Sequence, residues 1–163
     1  CFLCNVGNCM TVKFLFSILF GMFSICSISS ALAAIDPLVG TWKTIDDRTG
    51  YSLADVVIRK DKHDLYSATI IQSRSVPGTT NVSTCTQCTG AQKNKPMVGL
   101  TTLSGLSADP EKPNEFVGGV MLDPKSGKHY NARARLMNNG KHLIINGRTE
   151  GSAIGRNVTW VKN

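Results

Sequence analysis

The chain has 163 residues, 42% of them apolar, and its 18 lysines and arginines against 11 acids give a net charge of +7. That length suits one domain built around one core. The cations are scattered, as at Lys60, Lys93, Lys125, Arg133 and Lys162, and not massed in one run, which argues against nucleic acid as a partner.

The first stretch reads CFLCNVGNCM. Cys1 is not an initiator residue, so the expected start is Met10, with an upstream extension before it. From Met10 the pattern is that of a secretory signal peptide. Lys13 supplies the charge, Phe14 to Ile28 the apolar run, and Ala31-Leu32-Ala33 a small-residue cleavage site. Cleavage is expected after Ala33. The apolar run is short for a membrane span, and Ile25 before Cys26 does not fit a lipoprotein signal, so no stable membrane insertion is expected after cleavage. Removing residues 1–33 takes Cys1, Cys4, Cys9 and Cys26 with it and leaves Cys85 and Cys88. It also removes one lysine and no acid, lowering the net charge by one. Residues 34–163 then form a single domain.

That domain reads as strands separated by turn signals. They fall at 38–44, 53–60, 65–72, 97–103, 115–122, 129–137, 142–148 and 157–163, and none carries a helical apolar stripe. DPKSGK, with Pro124 and Gly127, and Asn139-Gly140 mark tight hairpin turns. In HYNARARLM, Tyr130, Ala132, Ala134 and Leu136 share one face while Asn131, Arg133 and Arg135 share the other. About eight such strands with no helix to cover their apolar face must close on themselves. The expected fold is therefore all-β, an antiparallel up-and-down barrel whose first and last strands pair and bring Trp42 and Trp160 together. The two alanines are read as leaving room inside, so Tyr130, Ala132, Ala134 and Leu136 are the expected ligand-lining residues.

One connection breaks the rhythm. Residues 73–96 hold no strand pattern but carry Cys85 and Cys88, spaced C-x-x-C. A zinc site needs four ligands, and there is no second cysteine pair and no paired spacing among His63, His129 and His142. A redox centre of the thioredoxin kind needs a strand–helix setting, and none surrounds this loop. A short structural disulfide needs only an oxidising compartment, and that is the expectation. No G-x-S-x-G or H-E-x-x-H motif is present, and Asp46-Asp47 reads as a pair of solvated turn residues. No catalytic residue, metal or cofactor is assigned.

The order of several motifs resembles a known family. Gly40-Thr41-Trp42-Lys43-Thr44-Ile45-Asp46-Asp47 is followed by Cys85-x-x-Cys88 and Lys95-Pro96-Met97-Val98-Gly99-Leu100. Then come Gly118-Gly119-Val120-Met121-Leu122-Asp123-Pro124, Gly127-Lys128-x-Tyr130 and Gly155-Arg156-x-x-x-Trp160. The chain resembles the exported bacterial family called domain of unknown function 2147. That resemblance implies a secreted or periplasmic protein, a lipocalin-like barrel and no established activity. One departure is Gly147-Arg148-Thr149-Glu150, where the family often has a Gly-Tyr pair. By the same likeness, Gly40-x-Trp42 resembles the lipocalin G-x-W, whose Trp closes the barrel floor under an arginine from the last strand. Gly40, Trp42, Arg156 and Trp160 are the barrel-closing residues so implied. The expected function is binding of a small hydrophobic or amphipathic molecule, without catalysis. Two other readings stand beside it: a thiol–disulfide or envelope-stress protein using the C-x-x-C, and an envelope interaction protein with a filled barrel.

Overall fold

A computed structural model describes residues 34–80, 82–153 and 155–163; the expected leader, residues 1–33, lies outside them. Eight strands follow one another: β1 (Gly40–Ile45), β2 (Ser52–Lys60), β3 (Tyr66–Ser73), β4 (Thr101–Ala108), β5 (Glu115–Asp123), β6 (Lys128–Leu136), β7 (His142–Arg148) and β8 (Gly155–Lys162). Each pairs antiparallel with the next, and β1 pairs with β8, so the sheet closes into an up-and-down barrel. Closure sets Trp42 opposite Lys162 and Thr44 opposite Trp160. The period-2 reading holds along β6, where Ala132, Ala134 and Leu136 are buried and Asn131, Arg133 and Arg135 are exposed. Among the described residues no edge of this sheet is left open for another chain to extend.

The strand expected at 97–103 runs instead from Thr101 to Ala108. Met97 to Leu100 form a turn: the Leu100 N–H donates to the Met97 carbonyl, and the Gly99 N–H to the Ile70 carbonyl. Ser104, Gly105 and Ser107 carry little strand propensity of their own. Their pairing to β5, as Ser104 to Val120 and Ser107 to Val117, makes the strand.

Alternating strand directions gather the β1–β2, β3–β4, β5–β6 and β7–β8 connections at one end, here called the mouth. The segment before β1 lies at the other end, the floor. There Leu38 and Trp42 are wholly buried. The indole Nε1–H of Trp42 donates to the Leu38 carbonyl at 2.9 Å, so the one polar atom of the ring is satisfied. Above the floor the barrel is packed solid by Ile58, Leu103, Leu106, Leu143 and Ile145, all without exposed surface. Tyr66 and Phe116 meet edge to face at 5.5 Å.

A polar latch ties the floor segment to β2 and β3. The Tyr66 hydroxyl donates to Asp36 at 2.8 Å, the Leu38 N–H donates to the same carboxylate at 3.0 Å, and Lys60 Nζ lies 3.5 Å from it. Partial burial alone would raise the Asp36 carboxyl, but these three partners outweigh it and hold it below the usual carboxylate range. The stabilisation is therefore fully present above the unfolded value of about 3.9 and is lost as pH falls through the lower folded value. Asp36→Asn should flatten the acid limb of stability below about pH 4, measured by thermal melts across pH.

Candidate functional site

The mouth half of the barrel is hollow. A cavity of about 240 Å³ lies there, walled by apolar groups that include Ala54, Val56, Ile70, Met121, Val158 and Trp160. Polar groups ring its opening: Thr44 near the end of β1, Asp46, Asp47 and Arg48 from the β1–β2 turn, Asp123 at the end of β5, Lys125 from the β5–β6 turn, and Arg156 from β8. Gly147 lines it too, where a Cβ would come within 3.1 Å of the Met121 methyl and 3.2 Å of Tyr130 Cβ. Any larger residue at 147 would push these side chains or fill the space. Two hydroxyls at the wall, on Tyr130 and Thr102, make no hydrogen bond among the described residues, and the Thr102 oxygen is buried.

The rim acids are largely occupied. Asp46 accepts the Arg48 N–H at 3.1 Å, and Asp123 accepts the Lys125 N–H and the Ser126 hydroxyl. Asp47 pairs with Arg156 at 3.2 Å, linking the β1–β2 turn to β8. Outside the cavity lining, Arg74 grips the buried Asp55 of β2 with both guanidinium nitrogens, at 2.7 and 2.6 Å. The hydrogen bond from Arg74 outweighs burial and keeps that carboxyl below its ordinary range. This fork anchors the start of the long β3–β4 connection.

That connection forms one side of the mouth, and it is ordered by the cysteines. Cys85 and Cys88 are joined in a disulfide, with Cα atoms 5.4 Å apart. Both are buried and belong to the apolar core. The Cys85 N–H donates to the Lys95 carbonyl, the Asn94 N–H to the Cys85 carbonyl and the Met97 N–H to the Ser83 carbonyl, folding the loop back on itself. The β5–β6 turn packs directly on this loop. Cys85 Sγ sits 3.3 Å from the Pro124 carbonyl oxygen. Gly127 has φ +68, and a Cβ on it would overlap the Gln87 carbonyl. Met97, at the end of the stapled loop, contributes to the cavity wall. Replacing both cysteines with serine should cost toward the lower end of the ~2–4 kcal/mol usual for disulfides, because the closed loop is short. Hydrogen exchange should then speed up over 83–97 while the strand amides of β6 and β7 keep their protection.

The structure separates the residues expected to close the barrel. Gly40 and Trp42 are at the floor, with Gly40 beneath the Lys162 stem. Lys162, not Arg156, carries the cation over the indole: its Nζ lies 5.3 Å from the ring centre and donates to the Pro37 carbonyl. Arg156 stands at the opposite end because five residues of β8 separate it from Lys162. Trp160 lines the cavity above Trp42.

Of the four expected ligand-lining residues, Tyr130 faces the cavity and the other three do not. Ala134 lies opposite Phe116 and Ile145 in register, and both are buried. Gly119, opposite Ala132, has Leu106 packed against it so closely that a Cβ would come within 2.9 Å of Leu106 Cδ1. The room left by the alanines is therefore filled by larger residues of the neighbouring strands β4, β5 and β7. Among the described residues no group of three or more His, Cys, Asp or Glu side chains is placed to hold a metal ion, and no helix is long and apolar enough to cross a membrane.

A closed eight-stranded barrel, sealed by an N-terminal Trp at one end and hollow at the other, defines a lipocalin-like protein. The fold is shared with a solved structure described as protein HP1028 from the human pathogen Helicobacter pylori, a member of the lipocalin family. That chain superposes with a TM-score of 0.61 at 20% identity, over 77% of this chain and 82% of its own. The chain belongs to the family described as "uncharacterized protein conserved in bacteria", domain of unknown function 2147, which matches residues 40–162. No curated protein matches it.

Proposed function

We propose that this protein is an exported, non-catalytic carrier of one small apolar or amphipathic molecule, held in the barrel mouth. The observation that carries the reading is the contrast within one barrel, packed solid over the floor and hollow under the mouth. An apolar cavity of roughly 150 Å³ can stay dry and take a benzene-sized guest. Drug-sized ligands occupy about 300–1,000 Å³. At about 240 Å³ the site fits a compact guest between those limits, with a polar end within reach of Tyr130 and Thr102.

Export rests on the leader pattern of residues 10–33 and on a disulfide that needs an oxidising compartment. The absence of catalysis is supported by the cysteines: reactive thiols sit in partly exposed, electropositive surroundings, whereas Cys85 and Cys88 are 0% and 2% exposed. Protein isolated from its own host and sprayed under native conditions should carry one extra small mass per chain. Organic extraction should release that mass, and the emptied protein should take it up again at one equivalent. Protein that carries no guest and rebinds nothing from a whole-cell lipid extract overturns the carrier reading.

A further inference from the structure

A second concavity lies away from the mouth cavity, on the outer face of β5, β6 and β7. It holds about 420 Å³ and is lined by Gly118, Asn131, Arg133, Asn146, Arg148 and the start of the β7–β8 connection. The strand register explains why two arginines meet there. Arg133 stands opposite Asn146, and Asn131 opposite Arg148, so the two arginines are diagonal neighbours, about 7–8 Å apart at the backbone and within reach at their tips.

Neither arginine forms an ion pair among the described residues. The one acid lining the groove, Glu150, is unpaired as well. Arg135, two residues along β6, differs in having Glu115 directly opposite on β5. Two like charges this close repel, and no acid stands opposite Arg133 or Arg148 in the strand register.

The groove is also preset. The Asn146 side-chain amide donates to Asn157 Oδ1 at 2.7 Å, and its own Oδ1 accepts the Arg148 Nε–H at 3.1 Å. That relay uses one guanidinium N–H and leaves the terminal nitrogens of Arg148 free to face a ligand. Gly118, in the β5 bulge with φ +75, leaves the adjoining strand bare, and a side chain there would be strained.

We propose that this groove is an oxyanion site that takes a phosphoryl or carboxylate group between Arg133 and Arg148. Guanidinium forks match the geometry of such groups in paired, charge-assisted hydrogen bonds. An anion held there removes the repulsion, and the Asn131 carboxamide adds a further donor. The site is independent of whatever the barrel mouth binds.

The test is a titration of the whole mature protein with inorganic phosphate, and separately with acetate, followed by the Arg148 Nε–H and Gly118 amide resonances. Saturable shifts are expected for phosphate or acetate. Arg133→Gln or Arg148→Gln should weaken binding by about tenfold, while Lys62→Gln, an equal loss of charge on an exposed loop elsewhere, should not. Both arginines are exposed, so the variants should melt like the wild type in anion-free buffer or slightly higher. Sedimentation with phosphatidylglycerol vesicles, against phosphatidylcholine, separates the sources. Arginine-dependent vesicle binding assigns the oxyanion to a lipid headgroup, and its absence beside phosphate or acetate binding assigns it to a soluble ligand. No saturable shift with either anion, or equal weakening by Lys62→Gln, overturns the proposal.

Discussion

Trp42→Ala should lower the stability of the barrel by about 3–5 kcal/mol, the range for deleting a buried large aromatic. Three effects combine at this position. The ring is wholly buried, and its loss leaves a cavity that the closed sheet cannot collapse to fill, because β1 is held by pairing on both sides. The Leu38 carbonyl loses its indole donor, and Lys162 loses the face on which it rests. For a domain of this size the melting temperature should fall by about 10–20 °C, read by calorimetry. Trp42→Phe keeps most of the packing and gives up the N–H, so it should fall between the variant and the wild type. A Trp42→Ala protein that melts within a few degrees of the wild type would show that the floor is not sealed as described.

Gly127→Ala should undock the disulfide loop from the β5–β6 turn and weaken ligand uptake, although residue 127 does not itself line the cavity. Two costs add. The left-handed backbone at φ +68 is strained for any residue with a Cβ, at about 1–3 kcal/mol. In addition, the methyl has nowhere to go, since the Gln87 carbonyl and the Cys88 nitrogen already occupy its place. Gly140→Ala isolates the first cost: it has φ +65 and nothing within 4 Å of the new methyl. The expected result is a larger loss of stability for Gly127→Ala than for Gly140→Ala, with lost binding in the former alone. Equal losses in the two variants would mean that the loop does not lean on the turn.

The strands were legible because their residues alternate. Tyr130, Ala132, Ala134 and Leu136 against Asn131, Arg133 and Arg135 state a half-buried strand within nine residues, and Asn139-Gly140 marks the turn that follows. Closure also followed, since so many short strands without a helix have no other way to cover an apolar face. What one strand cannot report is which residues its neighbours set beside it. Ala132 and Ala134 alone suggest empty space, and Leu106, Phe116 and Ile145 fill it. The true hollow lies beneath residues such as Ala54 and Gly147, whose smallness is unremarkable in their own segments. The last strand shows the same limit. Arg156 and Lys162 are both cations flanking Trp160, and only the register that sets Lys162 opposite Trp42 decides which lies over the indole. The long loop was the least legible part. Its order comes from a disulfide and from the fit of Gly127 against Gln87, contacts between segments about forty residues apart in the chain.

The most direct measurement is the titration of an environment-sensitive apolar dye into wild-type protein and into Ala54→Phe. Ala54 lines the cavity and is almost fully buried, so the larger ring must occupy the hollow itself. The wild type should bind one dye per chain with a blue-shifted, saturable signal. Ala54→Phe should lose that signal while retaining the wild-type far-ultraviolet spectrum and a cooperative melt. A wild type that binds no dye, or an Ala54→Phe variant that binds it equally well, would contradict a hollow barrel mouth.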